Sequence, residues 1–176
     1  FVLMGNHYHL AVETPQGNLV VGMQWLQSTF ANRFNQLRGE RGHLFQGRYK
    51  ALLVEPGDAL GQVCHYIHLN PVRAGIVTAE RTGDYRFSSY WYLTRPKQRP
   101  ACLRFTDTLQ SAGDLPDTKT GWNRYGAYLA WAAAESPLGK NRAYVNLSRG
   151  WALGGGEFKQ ALLKDHAVAE ETRAWE

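Results

Sequence analysis

The 176-residue chain is short of several things, and each shortage excludes a class of protein. It has two cysteines, Cys64 and Cys102, and no CxxC pair. That excludes a disulfide-framed scaffold and a thiolate zinc site, and it fits a protein kept reduced in the cytoplasm. No apolar run approaches the roughly 18–20 residues of a membrane-crossing helix. No internal repeat, low-complexity tract or secretory pattern occurs. The chain opens at Phe1, inside a strand-like run, and reads as a fragment of something longer. Acidic residues are also scarce, 15 against 20 Lys and Arg. The deficit is local: residues 1–100 hold eleven basic and six acidic side chains, net +5, and the rest hold nine of each. Positive charge concentrated there is what a nucleic-acid partner requires, although this much charge is also ordinary for a soluble domain.

What is present is a core's worth of apolar residues, 44% of the chain, in patterns that change along it. Residues 2–4 and 7–13 read as two short strands around a Gly5-Asn6 turn. Asn18 is a plausible N-cap for a helix running to Arg38, with Trp25 in the core and Gly39 as its stop. Residues 40–50 are basic, aromatic and punctuated by glycine. Residues 49–55 read as a buried strand. Asp58 then caps a helix that Asn70-Pro71 should end, because the residue before proline disfavours helical backbone. Residues 94–120, rich in Pro, Arg, Asp, Thr and Gly, read as a linker. The segment 121–176 reads as helical, with one helix over 122–135 and another within 147–165. The pair is a candidate DNA-reading helix-turn-helix or, more commonly, a plain helical hairpin.

The chemistry is concentrated in His7-Tyr8-His9. On a strand, alternate side chains share a face, so His7 and His9 point together and Tyr8 points away. Two imidazoles so placed can hold one divalent metal; more often such a pair is simply half-buried. Tyr66 and Asn70, four apart on the next helix but one, also share a face. If that helix packs beside the histidine strand, two imidazoles and the Asn70 carbonyl oxygen can gather a metal near the Tyr66 hydroxyl. Nitrogen and oxygen ligands with open positions suit Mg²⁺ or Mn²⁺ with a phosphate bound. The metal then acts as a Lewis acid on a phosphodiester that tyrosine attacks. Arg48, Lys50 and Arg73 are candidate phosphate contacts. Phe45, Tyr49, Trp91 and Tyr92 are candidate stacking platforms for unpaired bases. His43 in the basic loop is structural or DNA-contacting. His65 and His68, three apart, read as a DNA-facing or surface pair.

Three segments in order make the pattern specific. Met4-Gly-Asn-His-Tyr-His-Leu10, Gly42-His-Leu-Phe-Gln-Gly-Arg-Tyr-Lys50 and Tyr66-Ile-His-Leu-Asn-Pro-Val-Arg-Ala-Gly75 together resemble the single-tyrosine HUH transposases, in particular the REP-associated tyrosine transposases. The resemblance spans about residues 1–95. It departs from the family at Gly5, where the family usually has proline, and in lacking the family's first strand and helix. It implies an α+β chain with an incomplete ferredoxin-like HUH domain over 1–93, an antiparallel sheet with helices on one face, followed by the linker and the helical region. It implies His7 and His9 as the metal pair, Asn70 as third ligand and Tyr66 as nucleophile. It implies Mg²⁺ or Mn²⁺ as cofactor. The substrate implied is single-stranded DNA bearing palindromic hairpins, cut and rejoined through a 5′-phosphotyrosine. Monomer and homodimer are equally open, and a non-catalytic hairpin-binding relative is the alternative.

Overall fold

Gly5-Asn6 reverses the chain within its first ten residues. In the computed structural model, which describes residues 1–135 and 150–173, β1 (Val2–Leu3) and β2 (Tyr8–His9) pair antiparallel. Val2 lies opposite His9 and Leu3 opposite Tyr8. The Met4 N–H donates to the His7 carbonyl at 2.8 Å and closes the turn. A third extended piece flanks β1: the Leu3 N–H donates to the Phe87 carbonyl at 2.8 Å, and Val2 bridges Ser88. The Tyr85 hydroxyl adds a 2.7 Å bond to the Leu3 carbonyl.

The chain divides into two units: Val12–Ala51, and Phe1–Ala11 together with the chain from Leu52 onward. The smaller unit is built on α1 (Leu19–Arg38). Gly39 ends it at φ 64°, a left-handed conformation that glycine adopts without strain. Asn18 precedes the helix but makes no side-chain capping bond, contrary to expectation; at φ −93°, ψ 22° it is not in the extended conformation that aims a capping side chain at the first N–H groups. Trp25 is 67% exposed rather than in the core. Met23 is the buried residue of α1, since so small a unit has too few side chains to cover a helix all round. Phe30 instead stacks against Phe34 and Phe45, at 6.0 and 6.2 Å between ring centres.

The larger unit is organised by α2 (Asp58–Arg73). Asp58 is its first residue rather than its cap, and its carboxylate complements the positive end of the helix dipole. The helix does not stop at Asn70-Pro71. Pro71 has no N–H to give, so it withdraws one bond, but its ring is buried in the core. The following N–H groups of Ala74, Gly75 and Ile76 close on the carbonyls of Asn70, Val72 and Pro71, each at 2.9 Å. Two further helices pack on α2 and its surroundings: α3 (Ser89–Leu93) and α4 (Thr106–Ser111). Gly61 brings α4 close to α2, because a Cβ there would overlap Ser111.

Residues 94–120 are not a free linker. Phe105, Leu109 and Leu115 join Leu69, Tyr90, Leu93, Tyr125 and Leu129 in one core. Arg99 grips Asp117 through both terminal nitrogens, at 2.5 and 3.0 Å, and lies over the Phe105 ring at 4.9 Å. The Trp122 indole donates to the same Asp117 at 2.6 Å. Polar composition concealed a segment whose Phe105, Leu109 and Leu115 turn inward. The core therefore runs into α5 (Lys119–Glu135), which contains the whole helix expected at 122–135 and starts three residues earlier.

β3 (Leu53–Val54) is shorter than the expected strand over 49–55, and Leu53 is 53% exposed. It pairs parallel with β4 (Ala152–Leu153). Glu55 then accepts the Gly155 N–H at 2.7 Å, at the threshold of α6 (Gly156–Arg173). Residues 136–149, which hold part of the segment 147–165 and most of the connection between α5 and α6, lie outside the described residues. The chain is thus α+β and mainly helical, with one antiparallel and one parallel strand pair among the described residues. No helix among them is long and apolar enough to cross a membrane.

Candidate active site

Cross-strand partners send their side chains to one face of a hairpin. Val2 is fully buried, so its partner His9 is drawn toward the interior, while Tyr8 goes with the exposed Leu3. β1 lies against α2, and the interior face of the hairpin accordingly meets Tyr66. The rings of His7 and His9 are 5.1 Å apart and nearly perpendicular. The rings of His9 and Tyr66 are 5.5 Å apart, again edge to face. The Arg73 guanidinium sits 5.1 Å from the centre of the Tyr66 ring. Residues separated by more than fifty positions in the chain thus form one cluster of two imidazoles, a phenol and a guanidinium.

The imidazoles are suited to different ends of one task. His7 is exposed, and its Nδ1 is bonded to the side-chain Oδ1 of Asn6 at 2.7 Å. Oxygen can only accept, so the proton is on Nδ1 and the Nε2 lone pair points elsewhere, the arrangement usual for a metal-ligating histidine. His9 is half-buried, and burial, followed by the neighbouring His7, holds its imidazole below the ordinary histidine range. Both effects favour the neutral ring that a metal ligand must present. The donor set fits a divalent ion that takes two nitrogens and keeps open positions. No group of three or more His, Cys, Asp or Glu gathers at metal-binding spacing among the described residues.

Asn70, the expected third ligand, lies on the same helix as Tyr66. It is 7% exposed, and its Nδ2 donates to the Tyr66 carbonyl one turn back, at 3.0 Å. The bond uses the amide nitrogen and not Oδ1, the atom expected to ligate a metal. Of the other predicted contacts, those of the basic loop lie in the smaller unit, and Trp91 and Tyr92 in the larger. His43, Arg48 and Lys50 are exposed and Tyr49 is half-buried, all in irregular backbone. The Asn35 side chain fastens this loop to α1 by donating to the Gly42 carbonyl at 2.9 Å. Phe45 packs on Phe30, and Trp91 lies under the Arg95 guanidinium at 4.3 Å, so both are engaged within the protein.

His65 and His68 are not a surface pair. They are 0% and 2% exposed. Both Nδ1 atoms meet the Tyr125 hydroxyl of α5, at 3.1 and 2.8 Å. The His65 Nε2 pairs with the Ser111 hydroxyl at 2.8 Å, and the His68 Nε2 with that of Ser89 at 2.9 Å. Burial pushes His65 down to about 4 and His68 well below its usual range. The signal was in the sequence: Gly61, His65, His68, Leu69 and Val72 recur at the three- and four-residue steps of a buried helical stripe. Two histidines on that stripe require polar partners, and nothing local identified Tyr125, sixty residues later, as theirs.

Compared with known proteins, the chain matches no family model, no curated protein and no solved structure.

Proposed function

We propose that this chain is a metal-dependent single-strand DNA nickase and strand transferase of the single-tyrosine HUH transposase type, with the ferredoxin-like HUH domain as its parent fold. The observation that carries the reading is the convergence of His7, His9 and Tyr66, with ring centres 5.1 and 5.5 Å apart in sequence order. A divalent ion, Mg²⁺ or Mn²⁺, would be held by His7 and His9, with the Asn70 side-chain oxygen as third ligand, and would polarise the scissile phosphate. Tyr66 attacks phosphorus through its phenolic oxygen, which loses its proton to solvent. The bond from phosphorus to the 3′-oxygen breaks, and that oxygen leaves as a hydroxyl after taking up a proton. A 5′-phosphotyrosine remains, and the reverse attack by a 3′-hydroxyl rejoins a strand. Arg73, beside the Tyr66 ring, supplies charge to the phosphate oxygens. The exposed Arg48 and Lys50, with His43 and Tyr49 in the same loop, are the further DNA contacts of this reading.

The same cluster would serve a second reading, a hairpin-DNA-binding relative that does not cut. One experiment separates the two. Labelled single-stranded hairpin DNA is incubated with the protein and Mn²⁺ and run on a denaturing gel. The nickase gives a protein–DNA adduct that Tyr66→Phe abolishes while DNA binding persists. Salt-sensitive binding without any adduct establishes the second reading.

A further inference from the structure

The face of α2 opposite Tyr66 is fastened by a polar chain inside the core. Successive residues on a helix are turned about 100° apart. His65 and His68 therefore sit about 60° from each other, and Tyr66 about 100° from one and 160° from the other. The two histidines point inward and Tyr66 points away from them toward His9. Any rotation of α2 about its axis that moved Tyr66 would also move both imidazoles.

The imidazoles cannot move freely. A tyrosine hydroxyl has one proton to give. The Tyr125 oxygen, 3.1 Å from His65 Nδ1 and 2.8 Å from His68 Nδ1, donates to one and accepts from the other. The two rings must then hold opposite tautomers, and each Nε2 takes the complementary role toward its serine. The result is a directional chain, Ser89–His68–Tyr125–His65–Ser111, across α3, α2, α5 and α4. All of its polar atoms are satisfied only in one rotational setting of α2, and an unsatisfied buried polar atom costs on the order of 1–3 kcal/mol. Apolar side chains alone would tolerate a small rotation. A shared hydroxyl between two fixed nitrogens does not.

We propose that Tyr125 is a positioning residue for Tyr66: through His65 and His68 its hydroxyl sets the rotation of α2 that turns Tyr66 to the His7–His9 pair. This inference rests on the reading of Tyr66 as the nucleophile. It gives α5, which lies outside the cluster of His7, His9 and Tyr66, a part in the chemistry.

The test uses the whole chain with Tyr125→Phe, which keeps the ring and removes the hydroxyl, and Leu129→Ala as a variant that loosens the same core one turn along α5. Single-turnover adduct formation on hairpin DNA with Mn²⁺ is measured per folded molecule, with the DNA concentration giving half-maximal rate. Tyr125→Phe is expected to slow the step by about 10- to 100-fold with that half-maximal concentration unchanged, because displacement of about an ångström has such an effect. Leu129→Ala is expected to keep the wild-type rate. Equal slowing in both variants, or a change confined to DNA affinity, overturns the proposal. The nuclear Overhauser contact between the His9 and Tyr66 rings is followed in parallel. It is expected to weaken in Tyr125→Phe and to persist in Leu129→Ala, and an unchanged contact also overturns the proposal. If the wild-type protein forms no adduct, the nickase reading fails, and the ring contact alone decides whether Tyr125 sets the orientation of α2.

Discussion

Replacing Gly61 with alanine reverses the effect usually expected of that change. In a helix interior, glycine is less favourable than alanine by about 1 kcal/mol, so Gly61→Ala ought to stabilise α2. The added Cβ, however, would overlap both Oγ and Cβ of Ser111 and lie 3.0 Å from the Asp107 carbonyl oxygen. Ser111 cannot simply rotate away without loss, because its hydroxyl is the partner of His65 Nε2 at 2.8 Å. Moving α4 outward instead loosens Leu109 in the core. Overpacking of this kind costs about 1–3 kcal/mol, and an orphaned buried imidazole nitrogen adds about 1–3. After subtracting the gain in helix propensity, the net destabilisation is roughly 1–5 kcal/mol. Urea unfolding followed by circular dichroism measures it as a lowered midpoint at unchanged slope. Gly22→Ala in α1 is the control: nothing lies within 4 Å of its added Cβ, and it is expected to stabilise by a few tenths to 1 kcal/mol. A Gly61→Ala protein as stable as the wild type, or more so, refutes the close approach of α2 and α4 and with it the bond between His65 and Ser111.

Acid should weaken the fold before the carboxylates titrate. An unfolded histidine takes up a proton near pH 6.5, whereas burial holds His65 at about 4 and His68 well below its ordinary value. Between about pH 6.5 and 4 the unfolded chain binds more protons, so stability present at pH 7 is lost as pH falls, by up to about 1.4 kcal/mol per unit for each histidine. Equal urea midpoints at pH 7 and pH 5 would contradict this. Glu55→Ala removes the acceptor of the Gly155 N–H and should cost about 0.5–2 kcal/mol locally, read as faster amide exchange at Leu53, Glu55 and Gly155. Exchange rates unchanged at all three would count against that tie. Mn²⁺ should broaden the ring proton signals of His7 and His9 and spare those of His65 and His68. His9→Ala should abolish the effect at His7, and broadening at His7 that survives the substitution would show that the two rings do not share an ion.

The elements with a local cause were legible in the sequence. Gly5-Asn6 dictated the hairpin, Gly39 the end of α1, and strand alternation put His7 and His9 on one side with Tyr8 on the other. What misled was composition taken as conformation. Pro71 looked like a helix stop because its local cost is known and its burial is not visible in the sequence. Residues 94–120 looked like a linker because Pro, Arg and Asp outnumber Phe105, Leu109 and Leu115, although it is the three apolar residues that enter the core. Trp25 looked buried because aromatic residues usually are, and it is exposed. The partnership of β3 with β4 joins residues about a hundred positions apart, beyond the reach of any local pattern.

The site divides along the same line, and α2 shows why. One side of this helix carries Tyr66, which the sequence singled out by its spacing from Asn70 and its order after the histidine pair. The other side carries His65 and His68, two polar residues at positions where periodicity calls for apolar ones. A polar residue on a buried stripe costs stability unless it is fully partnered, so its presence there is itself a clue. Leucines at both positions would fill the same core without a hydroxyl to bind, and the helix could then settle in any of several nearby rotations. With histidines, one rotation satisfies Tyr125, Ser89 and Ser111 together. The direction of Tyr66 is thus fixed from behind, by the side of the helix that does not face the candidate active site. A replacement there that preserves volume but not hydrogen bonding, such as His68→Leu, should leave the helix formed and the Tyr66 ring no longer held against His9.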